Sequence, residues 1–308
     1  MIGIAEIAVS IPENSIDNIA QAKGFGADDN FAVNRIGAAT LPVMGEGEDT
    51  SDLAVRAVNA LIEKSGIDRE SVEFLVICTQ NPDACGLPHT SAIVQQKAGL
   101  STNIAAFDIS LGCSGYVYGL HTAKGFMESA GLKCGIFVTA DPYSKIINRE
   151  DKNTSLLFGD AATATLLSAD PVLEIGPARF STDGSGGENI INRDGMLDMN
   201  GRQVFNFAIL QVPAQIEGLL AKSETALSSI DLFVLHQGSK VIVETLTKRM
   251  KLPVDKVPVA LHKTGNTVSS SIPLILADYV HREEMKKFLL SGFGVGLSWG
   301  STLLKRME

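Results

Sequence analysis

The sequence predicts a mixed α/β fold in which layers of sheet and helix alternate. Its 308 residues read as strand-like and helix-like segments in turn, from one end of the chain to the other. Several strand-like runs are almost continuously apolar, which is typical of strands covered on both faces. Apolar residues make up 45% of the chain and charged residues 20%, so a substantial core can form.

The predicted elements follow one another closely. Strands are expected at residues 2–11, 72–80, 105–111, 134–140, 162–169, 231–238 and 295–305. Helices are expected at residues 50–66, 90–100, 114–131, 212–225 and 239–252. Thr50 or Ser51 is the expected N-cap of the first of these helices, and Gly66 is the glycine expected to end it.

One sequence pattern occurs twice. Residues 70–83, ESVEFLVICTQNPD, resemble residues 228–240, SSIDLFVLHQGSK. Each has a polar lead, an acidic residue, an apolar strand and a polar loop that opens a helix. No linker rich in Pro, Gly or Ser separates the two halves that carry this pattern. The longest turn-rich segment, residues 181–203, is a candidate insertion over a site.

Composition argues against several classes of protein. The net charge of −9 disfavours sequence-independent binding to nucleic acid. The N-terminus has no basic region typical of a signal peptide, and we expect no apolar run near the roughly 20 residues that span a bilayer. The four cysteines lack C-x-x-C spacing, so neither a metal site nor a disulfide framework is indicated. A reduced, cytoplasmic protein is expected.

Cys113 lies in a predicted strand-to-helix turn between Gly112 and Gly115. Glycines allow a strained turn and close approach of a substrate. A cysteine at a helix N-terminus is expected to have a lowered thiol pKa, because the unpaired N–H groups favour the thiolate. From these residues alone, Cys113 is either a nucleophile or one of several buried, inert cysteines.

Two polar residues of the second half have similar placements. His236 follows four apolar residues, at the point where a strand ends and α/β folds expose side chains to a site. Asn266 lies in a Gly-Asn turn before a helix expected near Pro273. His236 is a candidate site residue or an interior histidine. Asn266 is a turn residue or an amide donor to a developing oxyanion.

Residues 292–300 contain four glycines. They do not form the G-x-G-x-x-G pattern of a dinucleotide site. The segment is expected to be a flexible loop that enters a strand. Its backbone N–H groups would either approach a substrate carbonyl or form a tight bend under the core.

These segments, taken in order, resemble the β-ketoacyl-acyl carrier protein synthase III family of the thiolase superfamily. The matching stretches span the chain: AFDISLGCSGYVYGL, LLFGDAATATLL, DGSGGE, VLHQGS, KTGNTVSSSIPLIL and GFGVGLSWGSTLL. The resemblance implies a five-layered αβαβα fold of two similar halves. The first half, residues 1–168, would carry the nucleophilic cysteine, and the second, residues 169–308, the histidine and asparagine.

The resemblance also implies a reaction. Cys113 would take an acyl group from acyl-CoA, and malonyl-acyl carrier protein or malonyl-CoA would then bind. His236 and Asn266 would stabilise the enolate formed on decarboxylation, and its carbanion would attack acyl-Cys113 to give a 3-oxoacyl product. A homodimer joined through sheet edges is implied, with no metal or organic redox cofactor.

The resemblance also implies residues that bind coenzyme A. Phe31 and Arg35 stand where the family has an aromatic residue and an arginine against the adenine, with Phe in place of the usual Trp. Lys152 replaces the arginine of the same clamp, and Ser239 replaces an asparagine. These departures make an acyl donor other than acetyl-CoA a hypothesis for this chain.

Other positions match the tunnel and the oxyanion loop. Gly201 and Phe205 match the wall of the pantetheine tunnel. Leu87 matches a position, usually Phe, that reaches the acyl pocket of the neighbouring subunit, so a longer or reshaped pocket is implied. Gly294 and Val295 match the loop that offers the second oxyanion N–H, although a valine adopts positive φ poorly.

Lys248 and Arg249 lie where an acidic helix of acyl carrier protein would dock. An ordinary solvated helix face is the alternative.

Four other functions compete with condensation. A related acyltransferase would pass the acyl group from Cys113 to an alcohol, amine or other acceptor, and Asn266 argues against it because an enolate needs a second donor. A degradative thiolase would carry another cysteine in residues 292–300, where there is none. A papain-like hydrolase would not usually have this layered pattern. A non-catalytic subunit of a heterodimer typically loses members of the Cys-His-Asn set.

Overall fold

The computed structural model describes residues 1–28 and 30–307. In that part of the chain the strands are β1 (Gly3–Ser10), β2 (Ser15–Asp17), β3 (Thr40–Pro42), β4 (Phe74–Cys78), β5 (Ala105–Ile109), β6 (Cys134–Ala140), β7 (Ala162–Ser168), β8 (Leu173–Thr182), β9 (Ile190–Arg193), β10 (Met196–Met199), β11 (Leu232–Leu235), β12 (Lys287–Gly294) and β13 (Ser298–Arg306). The α-helices are α1 (Asn18–Gly24), α2 (Thr50–Ser65), α3 (Thr90–Lys97), α4 (Gly115–Ala130), α5 (Lys152–Ser155), α6 (Gly201–Lys222), α7 (Lys240–Arg249) and α8 (Ser271–Leu276). A π-helical segment, Phe31–Ile36, follows α1.

Nine strands form one sheet in the order β11-β12-β13-β8-β1-β7-β6-β4-β5. On one side, β1, β7 and β6 pair antiparallel, and β6, β4 and β5 pair parallel. On the other side, β8, β13 and β12 pair antiparallel, and β12 and β11 pair parallel. The pairing pattern therefore repeats, with β4 and β11 in equivalent places.

Those two strands carry the repeated sequence pattern. The repeat in sequence thus corresponds to a repeat in strand pairing, centred on the antiparallel contact between β1 and β8. Between β7 and β8 the chain passes from one set of strands to the other. We propose on this basis that the chain divides into the halves 1–168 and 169–308.

Three apolar clusters define the layers. Helices α2 and α3 pack on one face of the strands of the first half. Helices α4 and α8 lie in the middle and contact strands of both halves. Helices α6 and α7 pack on the far face of the strands of the second half. The order from one side to the other is helix, strands of the first half, helix, strands of the second half, helix, which buries both faces of the central strands.

Helix α2 begins one residue away from where it was expected. Asp49, not Thr50 or Ser51, is its N-cap, and the carboxylates of Asp49 and Asp52 form a reciprocal capping box. Thr50 and Ser51 are instead buried within the first turn. Gly66 ends the helix as predicted, with a φ of 70° that favours glycine.

Helix α6 is longer than predicted. It begins at Gly201, and Pro213, which was taken as part of the helix start, lies inside it. By length and composition alone the helix is long and apolar enough to cross a membrane, a test that the core helix of a soluble protein also passes. Its apolar residues Val212, Ile216 and Leu219 pack on the sheet, which is the ordinary role of a core helix in a layered fold.

The glycine-rich segment near the C-terminus is not a loop followed by one strand. β12 and β13 form an antiparallel hairpin whose facing ends are Gly294 and Ser298. Gly292 and Gly300 face each other within the hairpin. Strand β12 was missed in the sequence because its glycines weaken the strand pattern.

Candidate active site

Cys113 lies in the turn between β5 and α4, as predicted. The residue is 7% exposed and precedes the N-cap of α4, Ser114. Its flanking glycines do not adopt positive φ. A Cβ atom on Gly112 would instead lie 2.5 Å from Gln80 Oε1, so close packing, not strain, requires glycine before the cysteine.

The hairpin between β12 and β13 passes directly over the cysteine. A Cβ atom on Gly294 would lie 2.8 Å from Cys113 Sγ, so the strand backbone contacts the thiol. The backbone N–H groups of Val295 and Cys113 both interact favourably with the thiolate form. Val295 does not adopt positive φ, and the valine is accommodated without strain. Two backbone N–H groups therefore lie beside the sulfur.

Burial raises the pKa of the Cys113 thiol to about 12. The negative charge of the buried Asp141 adds to this rise, and the two N–H groups oppose it. The prediction of a lowered thiol pKa was therefore wrong for the ligand-free site. Removal of water destabilises the thiolate more than the start of α4 stabilises it.

His236 follows the last residue of β11 and is 2% exposed. Its Nδ1 lies 2.7 Å from Ser271 Oγ, and its ring meets the Phe293 ring edge-on with centroids 5.4 Å apart. Burial lowers the pKa of the imidazole to about 3, while a hydrogen bond with the Val268 backbone opposes this shift. The imidazole is therefore neutral at physiological pH and is suited to donating a hydrogen bond without net charge.

The Val268 backbone, which contacts His236, also orients Asn266. Its Oδ1 accepts a hydrogen bond from the Val268 N–H at 2.9 Å. This fixes the amide so that Nδ2, a donor, is the group left for a ligand. Val268 is fully buried with a φ of 52°, which is unusual for a β-branched residue. One strained residue thus contacts both His236 and Asn266.

These three residues line one cavity of about 210 Å³. Of the other predicted site residues, Gly201, Phe205, Ser239, Gly294 and Val295 also line it. Most of the remaining wall is apolar, with Leu157, Ile190 and Phe293 among its members. We call this cavity the tunnel.

Ser239 has a second role. Its hydroxyl accepts a hydrogen bond from the Ile242 N–H at 3.3 Å and caps α7.

The predicted adenine clamp lies beside the tunnel and not in its wall. The Lys152 ammonium lies over the Phe31 ring, 5.0 Å from its centroid, as in a cation–π contact. Asn153 and Ile36, the chain neighbours of Lys152 and Arg35, line the tunnel. Lys152 and Arg35 are thus each one position away from a residue of the tunnel wall.

Leu87, Lys248 and Arg249 are not at the tunnel. Leu87 is 86% exposed, at the tip of the loop that follows β4. The Lys145 ammonium holds the base of that loop through the carbonyl groups of Asn81 and Pro82. Lys248 and Arg249 are exposed in the last turn of α7, and the first turn of the same helix reaches the tunnel through Ile242.

The segment 181–203 does cover the site. Its residues Ile190, Met199 and Gly201 contribute to the tunnel wall. The hairpin of β9 and β10 that it contains was not predicted, because the surrounding turn residues obscure two strands of four residues each.

Family models match two parts of the chain. The model for 3-oxoacyl-[acyl-carrier-protein] synthase III matches residues 107–184, and the model for the C-terminal part of that synthase matches residues 220–306. The β-ketoacyl-[acyl-carrier-protein] synthase III of Lactococcus lactis subsp. cremoris is 34% identical, over 98% of both chains. The chain belongs to the 3-oxoacyl-[acyl-carrier-protein] synthase III family. As a member of it, the protein is an acyltransferase.

Solved structures of the synthase III family have the same fold. A 3-oxoacyl-(acyl-carrier-protein) synthase III structure superposes with a TM-score of 0.93 at 35% identity, covering 99% of both chains. The enzyme of Pseudomonas aeruginosa superposes with a TM-score of 0.91 at 28% identity, covering 100% of this chain and 98% of that one. The predicted family and the predicted thiolase-like fold are therefore confirmed.

Several residues at the site had no sequence signal that we used. Val268 and Ser271 fix Asn266 and His236, and both lie in the Ser-rich run that was read only as a helix cap. Tyr143 and Phe293 line the tunnel but look like ordinary core residues in sequence. Among the described residues, no group of three or more His, Cys, Asp or Glu side chains could hold a metal ion.

Proposed function

We propose that this synthase III family member transfers an acyl group from acyl-CoA to Cys113 and then condenses it with a malonyl thioester. The observation that carries the proposal is the convergence of Cys113, His236 and Asn266 on one buried tunnel. These residues come from three separate segments, and His236 and Asn266 are both held as neutral hydrogen-bond donors. The synthase III relatives favour condensation over transfer to an alcohol or amine.

In the first step, the Cys113 sulfur attacks the acyl-CoA carbonyl carbon. The tetrahedral oxyanion is held by the N–H groups of Cys113 and Val295, and its collapse breaks the bond to the coenzyme A sulfur. The proton of the Cys113 thiol leaves with coenzyme A as its thiol. Because the pKa of this thiol is about 12, we propose that proton loss accompanies attack on a bound thioester.

In the second step, the malonyl thioester carbonyl accepts hydrogen bonds from His236 and from Asn266 Nδ2. The bond to the carboxylate breaks, carbon dioxide leaves, and the electron pair forms an enolate stabilised by these donors. The carbanion attacks the acyl-Cys113 carbonyl, and the bond to sulfur breaks. The products are a 3-oxoacyl thioester and the Cys113 thiolate, which takes up one proton from water. No step uses a metal or a redox cofactor.

A condensation assay tests the proposal. The protein is incubated with an acyl-CoA and malonyl-acyl carrier protein, and the 3-oxoacyl product and carbon dioxide are measured. The 3-oxoacyl product and carbon dioxide are expected in equal amounts. The assay is repeated with malonyl-CoA in place of malonyl-acyl carrier protein. If acyl-Cys113 forms but only alcohols or amines discharge it, without carbon dioxide, the function is acyl transfer and not condensation.

We propose that coenzyme A binds at the tunnel mouth with Phe31 and Lys152 on its adenine and Arg35 nearby. The contact between the Lys152 ammonium and the Phe31 ring supports this. Lys152→Ala is expected to raise the KM for acyl-CoA about three- to tenfold, with kcat nearly unchanged, because the contact binds ground and transition states alike. Steady-state kinetics measure both constants.

Lys263→Ala, at an exposed lysine outside the tunnel wall, is the matched control and should leave KM unchanged. A fall in kcat without a change in KM for Lys152→Ala would contradict the clamp.

Two interfaces belong to the proposal. β5 is an edge strand whose residues are all partly exposed, which supports pairing with a second copy in a homodimer. Leu87 would then reach the acyl pocket of that copy. Lys248 and Arg249 at the end of α7 would contact an acidic helix of acyl carrier protein. A cytoplasmic location is included, since the nucleophile must remain a free thiol.

A further inference from the structure

A second cavity, of about 300 Å³, adjoins the tunnel. The two cavities share the side chains of Tyr143, Ile190 and Val295. We call the second one the side cavity. Because Val295 and Tyr143 also lie at Cys113, the side cavity is a place where an acyl group on Cys113 can extend.

Polar side chains line a substantial part of the side cavity. They are Gln80, Asn81, Ser110 and Asn192, together with the Tyr143 ring. A pocket for a plain alkyl chain gains nothing from amides, because each amide loses its water when the chain enters. The character of this wall therefore bears on the kind of acyl group.

Gln80 lies beside the turn that carries the nucleophile. Its Oε1 would be 2.5 Å from a Cβ on Gly112, the residue before Cys113. The same Oε1 accepts a hydrogen bond from the Tyr143 hydroxyl at 3.1 Å. Because the Tyr143 hydroxyl holds Oε1, Nε2 is the amide group that remains for a ligand. Gln80 thus presents a donor.

Asn81 presents the complementary group. Its Nδ2 donates to Asp141 Oδ1 at 3.2 Å, and the Gln80 backbone N–H donates to the same oxygen at 3.0 Å. Asn81 is 6% exposed and its amide is held by a buried carboxyl group. Because Nδ2 is held by Asp141, Oδ1 is the amide group that remains for a ligand, and it is an acceptor. One donor and one acceptor in the wall of the same cavity match a hydroxyl or a primary carboxamide, which both give and accept hydrogen bonds.

We propose that the acyl group carried by Cys113 bears a hydroxyl or carboxamide, which Gln80 and Asn81 bind in the side cavity. The inference rests on the proposed function and deepens it by naming the class of acyl donor. A hydrocarbon of the same shape would leave both amide groups unpaired. Sites built to hydrogen-bond a substrate group discriminate strongly against analogues that lack it.

Two matched pairs of acyl-CoA test the proposal. In each pair a hydroxyl replaces a methyl: 3-hydroxybutyryl-CoA against 3-methylbutyryl-CoA, and 4-hydroxybutyryl-CoA against pentanoyl-CoA. The rate of acylation of Cys113 is followed by intact-protein mass spectrometry. The hydroxylated member should acylate at least about tenfold faster in one pair or both. Equal or faster acylation by the alkyl member in both pairs overturns the proposal.

Variants assign the selectivity to the amide. Gln80→Met keeps the length of the side chain and removes the donor, so the preference should fall about tenfold or disappear. Gln211→Met, on the exposed face of α6, is the matched control and should keep the wild-type preference. If Gln80→Met keeps the preference for the hydroxylated acyl-CoA, Gln80 does not bind the acyl group and the proposal is contradicted. Absence of acylation by every acyl-CoA would contradict the proposed function itself.

Discussion

Replacing His236 by alanine is expected to abolish decarboxylation of the malonyl thioester while leaving acylation of Cys113 measurable. The imidazole is buried and neutral, with a pKa lowered to about 3, and Ser271 holds its Nδ1 at 2.7 Å. In the proposed mechanism it donates to the enolate, whereas backbone N–H groups stabilise the acylation step. Loss of one such donor costs about 10² to 10³ in rate.

Two rates distinguish these roles. Release of carbon dioxide from malonyl-acyl carrier protein reports the second step, and the mass of the acyl-enzyme in a single turnover reports the first. Asn266→Asp should behave like His236→Ala. It keeps the oxygen that accepts from the Val268 N–H at 2.9 Å but loses the Nδ2 donor, so the loop geometry is retained.

His262→Ala is the control, because this histidine is exposed and does not line the tunnel. Both rates should stay at the wild-type value. Equal losses in acylation and decarboxylation for His236→Ala would contradict the division of roles, since the histidine would then act on both steps.

Gly294→Ala is expected to slow both steps by at least about 10²-fold. The new Cβ would lie 2.7 Å from Cys113 Cβ and 2.8 Å from its Sγ, closer than nonbonded carbon and sulfur atoms approach. The end of β12 must move, and the Val295 N–H moves with it. Because this N–H would stabilise the oxyanion of each step, neither acylation nor condensation should be spared.

Gly184→Ala provides a matched glycine substitution. A Cβ there meets no atom within 4 Å, so both rates should be unchanged. Circular dichroism and the midpoint of thermal unfolding would check that Gly294→Ala still folds. A folded Gly294→Ala protein with wild-type rates would show that the hairpin does not form the oxyanion hole.

The sequence predicted what depends on local pattern. Cys113 was expected at a turn and His236 at a strand end because the apolar runs before them are strongly strand-like. The repeat around β4 and β11 was visible because equivalent strands need similar apolar patterns. These features depend on residues close together in the sequence, so the hydrophobic periodicity of the sequence predicts them.

What the sequence did not predict depends on contacts between distant segments. The raised thiol pKa of Cys113 results from burial under residues of β12 and the charge of Asp141, which no local pattern contains. The positive φ of Val268 is imposed by the surrounding fold against the preference of valine. The start of α6 was misplaced because Pro213 is tolerated inside a packed helix.

The most direct test of the central claim is the mass of the intact protein after incubation with acyl-CoA. We expect one added acyl group on Cys113. The adduct should be present in Cys85→Ser, which lacks the exposed thiol, and absent in Cys113→Ala. Addition of malonyl-acyl carrier protein should then remove the group. An adduct that persists in Cys113→Ala, or no adduct with any acyl-CoA, would contradict the account.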